Sequence, residues 1–344
     1  MLIYRKILKA RARRRLSAPP AAAPTVCVGN VTVGGTGKTP HTELIMTLLR
    51  SSERWGGCRL AMLSRGYKRS SRGYQRVETS SSASFAGDEP LQVKKKFPEV
   101  DVSVDKNRVR GCAELIAAGA QIIVLDDAFQ YNRLKPSLDI VLVDCSRPVF
   151  SDSLLPFGRL RDLPERIFEA DIIIVTKCPR GMDDAEKAAF ASELRLSDYG
   201  ACKAKTPSGK EVGLLFSHIE YCPLQAVFPE ADTHYIYAHN ALVFSGIAND
   251  GPLKAYLSDN YRLISSISFP DHHKFSRADI NQIEAAAERY PTAAIITTEK
   301  DAARIADAGN LSDKLRSRLF VLPIKVAFES HEEETALREA LERL

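Results

Sequence analysis

Short apolar runs alternate with amphipathic segments along the first 205 residues of the chain. Six runs have the length and composition of buried strands and lie at residues 25–28, 59–64, 100–104, 121–125, 139–143 and 171–176. Helical spacing of apolar residues occurs between them, near 40–50, 89–97, 107–118 and 183–196. This alternation predicts an α/β domain over 25–205, with a mostly parallel sheet covered by helices on both faces.

The pattern changes between residues 206 and 235, where an alternating stretch runs into Pro223 and Pro229. We expect a two-stranded linker here. A second, smaller α/β lobe is predicted over 236–330, with apolar runs at 241–245, 262–268, 293–298 and 319–323 and a helix near 277–288. A charged helix is predicted over 331–344. The chain of 344 residues is therefore expected to contain two domains.

Composition excludes several classes of protein. Hydrophobic residues make up 44% of the chain and charged residues 26%, which is typical of a globular protein. No apolar run approaches the roughly 18 residues of a membrane-spanning helix. The seven cysteines form no C-x-x-C pair, so we expect free thiols in a reducing cytoplasm, with neither a disulfide framework nor a cysteine metal site.

The positive charge is concentrated in an arm over residues 1–24. The formal net charge is +5, and seven Lys and Arg residues lie within residues 1–15, leaving 41 basic against 43 acidic residues elsewhere. Apolar residues are interspersed with these cations at near-helical spacing. A basic amphipathic helix on an anionic membrane surface, a disordered basic tail and a nucleic-acid-binding arm are the three interpretations. We expect the first, with no nucleic-acid partner.

A glycine-rich segment follows the first apolar run and precedes the first amphipathic one. Such a segment between a strand and a helix cradles the phosphates of a nucleotide with its backbone N–H groups. Thr32 stands where the usual pattern has its first glycine. The predicted ATP-binding residues are Thr32, Val33, Gly34, Gly35, Thr36, Gly37, Lys38 and Thr39.

Carboxylates and other polar residues follow several of the predicted strands. Asp126 and Asp127 end one strand, as in a Walker B segment that holds Mg²⁺, although strand-ending Asp pairs also serve as caps. Asp88 suits either a helix cap or a general base near the transferred phosphate. Arg65 is a candidate phosphate or sugar contact. Segments 269–275 and 297–301 could each supply acid–base or substrate contacts, or only turns and caps.

Taken together, these motifs resemble one family, the tetraacyldisaccharide 4′-kinases of lipid A biosynthesis. Members carry V-G-N-[IL]-T-x-G-G-x-G-K-T-P, S-R-G-Y, G-D-E-P, D-D-x-x-Q, L-P-x-G-x-L-R-E, D-H and T-x-K-D in this order. The matching segments lie at 28–40, 64–67, 87–90, 126–130, 155–162, 271–272 and 298–301. The family tolerates a residue other than glycine at the position of Thr32.

The resemblance implies transfer of a phosphoryl group from ATP, with Mg²⁺, to the 4′-hydroxyl of a tetra-acylated glucosamine disaccharide 1-phosphate. It implies Asp88 as catalytic base, His272 as its partner and Lys38 as the residue that stabilises phosphoryl charge. Closure of the two domains would bring Asp88 and His272 together. The metal candidates are Thr39, Asp126, Asp127 and Asp162, and the substrate-binding candidates are Arg65, Gln130, Asp271 and Lys300.

The chain departs from the family pattern at three places. Tyr131 replaces the usual His after D-D-x-x-Q, and Asp162 replaces the Glu of L-R-E, which shortens its reach toward a metal. The arm is shorter and less hydrophobic than the anchoring helix of relatives. Attachment to the cytoplasmic face of the inner membrane of a Gram-negative bacterium is therefore expected to depend on charge and on salt.

Two other functions compete with the lipid kinase. One is a phosphate-loop kinase of a soluble small molecule, against which the basic arm argues. The other is a nucleotide switch or partition ATPase. Segment 176–179 lies where a guanine-reading N-K-x-D loop would lie, but it lacks the Asn and Asp of that motif. We expect a monomer.

Overall fold

The structure, a computed structural model, describes residues 2–271, 273–309 and 311–344. The chain divides into two compact units. The large unit comprises Met1–Glu220 and Lys325–Leu344, and the small unit comprises Tyr221–Ile324.

The large unit is built from alternating helices and strands. Its helices before the small unit are α1 (Leu2–Leu16), α2 (Lys38–Arg50), α3 (Ala83–Ala86), α4 (Asp88–Lys96), α5 (Arg108–Ala117) and α6 (Asp184–Glu193). Its strands are β1 (Thr25–Gly29), β2 (Leu60–Ser64), β3 (Gln75–Arg76), β4 (Asp101–Val104), β5 (Ile122–Asp126), β6 (Leu138–Asp144), β7 (Ile172–Thr176), β8 (Ser197–Gly200), β9 (Lys203–Lys205) and β10 (Glu211–Tyr221).

The small unit repeats this alternation on a smaller scale. Its helices are α7 (Gly251–Asn260), α8 (Arg277–Arg289), α9 (Glu299–Ala308) and α10 (Asp313–Arg316). Its strands are β11 (Gln225–Ala226), β12 (Asn240–Ser245), β13 (Arg262–Ser268), β14 (Ala294–Thr297) and β15 (Leu319–Val321). They form a sheet in the order β11-β15-β14-β12-β13, parallel except for β11. Strand β16 (Ile324–Phe328) and helix α11 (His331–Glu342) then complete the large unit.

The sheet of the large unit is mostly parallel and runs in the order β3-β4-β2-β5-β1-β6-β7-β10-β9-β8, with β16 paired to β10. Every residue of β1, β2, β5, β6 and β7 is buried, because the sheet is covered on both faces and its strands are continuous apolar runs. The predicted fold class is confirmed. Because β1 lies between β5 and β6, the loop that follows it stands near the middle of the carboxyl edge of the sheet.

The division into units differs from the predicted domain boundaries. Residues 211–221, expected in a two-stranded linker, form β10, which pairs with β7. An alternating apolar pattern fits a strand of a large sheet as well as a linker, so periodicity could not separate the two. The end of the chain also returns to the large unit, where Glu333 of α11 accepts from the Phe216 N–H at 2.9 Å and pairs with Lys187 at 3.3 Å.

The basic arm forms helix α1, and one side of it packs on the large unit. Leu8, Ala12 and Arg15 are buried, and Arg15 forms an ion pair with Asp139 of β6. Leu8, one of the apolar residues of the arm that were expected to face a membrane, therefore contributes to the core. The outer side carries exposed cations, among them Lys6, Lys9, Arg11, Arg13 and Arg14. Within the described part of the chain, no helix is both long enough and apolar enough to cross a bilayer.

Candidate active site

The loop between β1 and α2 has the backbone geometry of a phosphate cradle. Gly34 and Gly37 adopt left-handed φ angles of 99° and 82°, which glycine reaches without strain. A Cβ atom placed on Gly34 or Gly35 would meet no atom within 4 Å, so the loop faces open space. No side chain caps the start of α2 at Gly37, which leaves the first N–H groups of the helix available to an anion.

Hydrogen bonds within the loop and to the segment around Arg159 hold this loop in place. The Asn30 amide donates to the Thr36 hydroxyl at 2.7 Å, and the Val33 N–H donates to the Arg159 carbonyl at 2.8 Å. Thr32 forms an isolated antiparallel bridge with Leu160 and has no left-handed φ. Because the backbone at this position does not require glycine, the departure from the usual motif costs the loop nothing.

His41, on the first turn of α2, adds a further tether that the sequence did not suggest. Its Nδ1 donates to the Gly37 carbonyl at 2.7 Å, and its Nε2 lies 3.0 Å from the Ser217 hydroxyl. Burial lowers the pKa of His41 to about 4, so the ring is neutral at physiological pH. The tether therefore adds no charge beside the phosphate site.

Asp126 and Asp127 lie where β5 ends, beside β1. Their surroundings shift the pKa values of the two carboxyl groups in opposite directions. Asp126 is buried and accepts one hydrogen bond, from the Ser64 hydroxyl at 2.9 Å. Burial, together with the charges of Glu89 and Asp127, raises the pKa of Asp126 to about 6. Its second oxygen, Oδ1, is buried and has no hydrogen-bond partner among the described residues.

Asp127 is held ionised by two cations. Arg161 donates to both of its carboxylate oxygens, one of them at 3.0 Å, and Lys38 Nζ lies 3.9 Å from Oδ1. Although burial raises the pKa of Asp127, the Arg161 hydrogen bond and the charges of Lys38 and Arg161 lower it to about 2. Asp127 also has a left-handed φ of 50°, an uncommon conformation for a residue other than glycine that is found at functional sites.

The unpartnered Asp126 oxygen is the observation that bears on a metal. Mg²⁺ prefers carboxylate, hydroxyl, phosphate and water oxygens, and Asp126 with the Thr39 hydroxyl could supply two such ligands. A bound cation would also favour the charged form of Asp126, which burial disfavours. The described residues contain no group of three or more His, Cys, Asp or Glu side chains that could hold a metal. Asp126 and the Thr39 hydroxyl therefore suit an ion that takes its remaining ligands from phosphates and water.

The other metal candidate, Asp162, occupies a different environment. Its backbone N–H donates to the Val31 carbonyl at 3.2 Å, which sets it beside the start of the phosphate loop. Its buried carboxylate accepts from Arg166 and from the Leu163 N–H. Arg166 therefore already engages this carboxylate, and the assignment of Asp162 to a metal stays a prediction.

Asp88 is the first residue of α4, and its neighbour Glu89 acts electrostatically on Asp126. Gly87, with a φ of 94°, is the residue that caps the helix, so Asp88 is not the N-cap. A Cβ atom on Gly87 would lie 3.3 Å from the Tyr67 carbonyl, in the segment that also carries Ser64, the partner of Asp126. The Gly-Asp-Glu-Pro segment and the Walker B carboxylates therefore share one end of the sheet.

Two substrate candidates and one departure from the family pattern can be located in the large unit. Arg65 is exposed and acts electrostatically on the buried Arg108, whose guanidinium donates to the Asp126 carbonyl at 3.1 Å. The Gln130 amide donates to the Asn30 carbonyl in the loop. The hydroxyl of Tyr131, which stands at the family's His position, donates to the Asn107 side chain at 2.9 Å.

The remaining candidates belong to the small unit. His272 lies outside the described residues. Asp271 is exposed on the turn after β13, and Lys300 lies on the first turn of α9. Thr298 caps α9 by accepting from the Asp301 N–H at 3.2 Å, which agrees with a structural role for this segment.

Besides His41, sequence reasoning missed three residues that contact or act on the two carboxylates. Arg161 pairs with Asp127, Arg108 contacts the backbone of Asp126, and the charge of Glu89 raises the pKa of Asp126. Arg161 and Glu89 are both within motifs quoted for the family resemblance, which was the available signal. Arg108 carried none, because its role depends on contacts with Asp105 and Asp126 that only the fold creates.

A glycine loop between a buried parallel strand and a helix, with a lysine on that helix and carboxylates at the end of the adjacent strand, defines a phosphate-loop nucleotide-binding protein. Comparison with known proteins narrows this class. The family model described as Tetraacyldisaccharide-1-P 4′-kinase matches residues 1–342, and the chain belongs to this family.

Individual relatives agree with this assignment. The chain is 41% identical to a tetraacyldisaccharide 4′-kinase of Parabacteroides distasonis, over 89% of this chain and 81% of the relative. It is 39% identical to the protein of the same name from Bacteroides thetaiotaomicron, over 88% and 80%. A crystal structure of LpxK from Aquifex aeolicus in complex with ATP is similar with a TM-score of 0.73 and 25% identity, over 99% of this chain and 96% of that chain.

Proposed function

We propose that this protein transfers the γ-phosphoryl group of ATP to the 4′-hydroxyl of tetraacyldisaccharide 1-phosphate, a step of lipid A biosynthesis. The observation that carries the proposal is the pairing of an open phosphate loop with a buried, half-satisfied carboxylate, Asp126, on the adjacent strand. The identity of the acceptor is inferred from membership of the family.

Within this site the loop N–H groups and Lys38 bind the β- and γ-phosphates and stabilise charge on the phosphoryl oxygens. Thr39 and Asp126 would hold Mg²⁺, and Asp127 directly follows Asp126 at the end of β5. When bound, Mg²⁺ neutralises charge on the phosphates and orients them. Arg161 keeps Asp127 ionised, and the carboxylate of Asp127 lies 3.9 Å from the Lys38 amine.

Asp88 accepts the proton of the attacking 4′-hydroxyl. Gly87 rather than Asp88 caps α4, so the cap function does not account for this carboxylate. The segment of Ser64 to Tyr67 packs against Gly87 and bonds Asp126, which keeps the base near the phosphates. The partnership of Asp88 with His272 and substrate contacts by Arg65, Gln130, Asp271 and Lys300 belong to the same proposal, as does a metal contact by Asp162.

The acceptor is a lipid, and the outer side of α1 offers a way to reach it. The exposed Lys6, Lys9 and Arg13 face away from the buried side of the helix formed by Leu8 and Arg15. Cations near an anionic bilayer contribute about 1 kcal/mol each at low salt. We infer peripheral attachment to the cytoplasmic face of the inner membrane through this side of α1.

A kinase assay with [γ-³²P]ATP and detergent-dispersed disaccharide 1-phosphate tests the function. Wild-type protein labels the lipid, and Asp88→Asn lowers kcat by about 10² to 10⁴-fold because the variant cannot accept the proton. Asp184→Asn is the matched control, since Asp184 is also the first residue of a helix in the large unit, α6. A folded, ATP-binding wild type that leaves the lipid unlabelled would overturn the function. Full activity of Asp88→Asn would overturn only the assignment of Asp88 as the catalytic base.

A further inference from the structure

The segment that follows β7, residues 176–179, has no role in the chemistry described above. Its place in the sheet suggests one. The carboxylates of β5 lie on one side of β1, and β6 and β7 lie on the other. If the metal and γ-phosphate lie beside the β5 carboxylates, as proposed above, the rest of a bound nucleotide would extend from the loop toward β6 and β7.

Two contacts tie this segment to the phosphate loop. The Thr176 hydroxyl donates to the Thr36 carbonyl at 3.1 Å, and Lys177 Nζ donates to the Gly35 carbonyl. The same ammonium group lies 2.7 Å from the Asp144 carboxylate at the end of β6. Lys177 therefore reaches from the end of β7 to the backbone of the loop.

The partners of Lys177 fix its charged end rather than leave it free. Asp144 is buried and also accepts from the Ser146 N–H at 3.0 Å and the Ser146 hydroxyl at 2.7 Å. Although burial raises the pKa of Asp144, hydrogen bonds from Lys177 and Ser146 lower it below its ordinary value, so the pair is ionic. The Lys177 side chain is nevertheless 42% exposed, against 8% for Asp144.

The backbone of Lys177 adopts a left-handed φ of 58°. A long side chain is seldom found in this region, and such strain persists where the surrounding structure holds it, often at ligand sites. An amine held by two acceptors leaves the methylene stem as the part that can contact a ligand.

We propose that Lys177 is a nucleoside-contact residue. Its stem packs against the ribose and base of the bound nucleotide, while Gly35 and Asp144 hold its ammonium group. The inference deepens the proposed function, because it rests on ATP as the phosphoryl donor, but it requires nothing of the lipid acceptor.

The test compares two ligands that differ only in the nucleoside. Calorimetric Kd values for ATP and for inorganic tripolyphosphate, both with Mg²⁺, are measured for wild type, Lys177→Ala and Lys177→Met. The Ala variant raises the Kd for ATP about tenfold and leaves that for tripolyphosphate within twofold, since only the nucleoside loses its contact. The Met variant, which keeps an unbranched stem, has a smaller effect on ATP.

Matched controls identify the source of any change. Lys203→Ala removes another exposed lysine with an acidic partner, Glu211 at 2.7 Å, and leaves both Kd values unchanged. Lys38→Ala raises the Kd values for both ATP and tripolyphosphate. If Lys177→Ala weakens ATP and tripolyphosphate equally, the residue only positions the loop, and the inference is overturned. It is also overturned if neither Kd changes. Because no lipid is present, a failed lipid kinase assay would leave this result standing.

Discussion

Each unit of the protein carries a buried aspartate at or shortly after the end of a parallel strand, yet the two carboxylates differ in their hydrogen-bond partners. In the small unit, the carboxylate of Asp301 is fully buried and accepts from the Gly246 N–H at 2.8 Å and from Arg304 at 3.0 Å. In the large unit, Asp126 is also buried, but one of its oxygens has no partner among the described residues. A satisfied carboxylate stabilises a fold, whereas an incompletely satisfied one is available to a ligand.

The same contrast applies to the positive charges. Arg304 is buried and pairs with a carboxylate three residues earlier on the same helix. Lys38, the first residue of α2, stands 3.9 Å from Asp127, beyond ordinary hydrogen-bond distance, and follows a loop that faces open space at Gly34 and Gly35. We therefore expect substitutions of Lys38 and Asp126 to reduce activity, and those of Asp301 and Arg304 to reduce stability.

The largest effect is expected for Lys38→Ala. Removing a preorganised cation from developing phosphoryl charge lowers kcat by about 10³-fold. Because the ion pair of Lys38 with Asp127 is 3.9 Å long and no shorter one is seen among the described residues, the melting temperature changes little. Steady-state kinetics with the lipid acceptor and thermal unfolding of the same samples measure both quantities. A large loss of stability together with the loss of activity would show that the lysine serves the fold as well.

Asp301→Ala is the matched change in the small unit. It leaves the buried guanidinium of Arg304 and the Gly246 N–H without their acceptor, which costs about 3 kcal/mol in the free energy of unfolding. Denaturant unfolding monitored by circular dichroism measures this cost. At a temperature where the variant is folded, kcat falls by less than about threefold. A loss of kcat comparable with that of Lys38→Ala would contradict the contrast between the units.

The helices and strands of the protein differ in how well the sequence alone predicts them. Strand β1, the glycine loop and the end of β5 follow from apolar runs and motif spacing, because these signals are local. The strands β8, β9 and β16 were missed, since they are short or form the edge of a sheet whose extent depends on distant pairings.

Within the site, the sequence predicted where the candidate residues lie better than how their surroundings differ. Asp126 and Asp127 are adjacent and were assigned one role. Burial raises the pKa of both carboxylates, and that of Asp126 reaches about 6. Arg161, 34 residues away from Asp127, pairs with Asp127 alone and together with Lys38 lowers the pKa of Asp127 to about 2. No rule of spacing contains that contact. The role of His272 stays a prediction, since this residue lies outside those described.

The smallest change is expected for Asp126→Asn. This substitution makes the ligand-free protein more stable but weakens its response to Mg²⁺ with ATP, so it separates the functional role of the carboxylate from a structural one. An aspartate in an unfolded chain ionises near pH 4, whereas burial raises the pKa of Asp126 in the fold to about 6. As pH rises from 4 to 6 the unfolded state releases its proton first, so the ligand-free wild type loses stability over this window. The loss reaches about 2–3 kcal/mol above pH 6.

Asparagine has no proton to lose and can still accept from Ser64, so the variant escapes this loss. At pH 7.5 without ligand, Asp126→Asn is expected to be about 2 kcal/mol more stable than wild type, and the difference disappears near pH 4. Denaturant unfolding across this range, with and without Mg²⁺ and ATP, measures it. Mg²⁺ with ATP stabilises the wild type more than the variant, because only the wild type offers a carboxylate to the metal. A variant that is less stable than wild type at pH 7.5 would place Asp126 with Asp301 among the structural carboxylates and remove the difference on which the comparison of the two units rests.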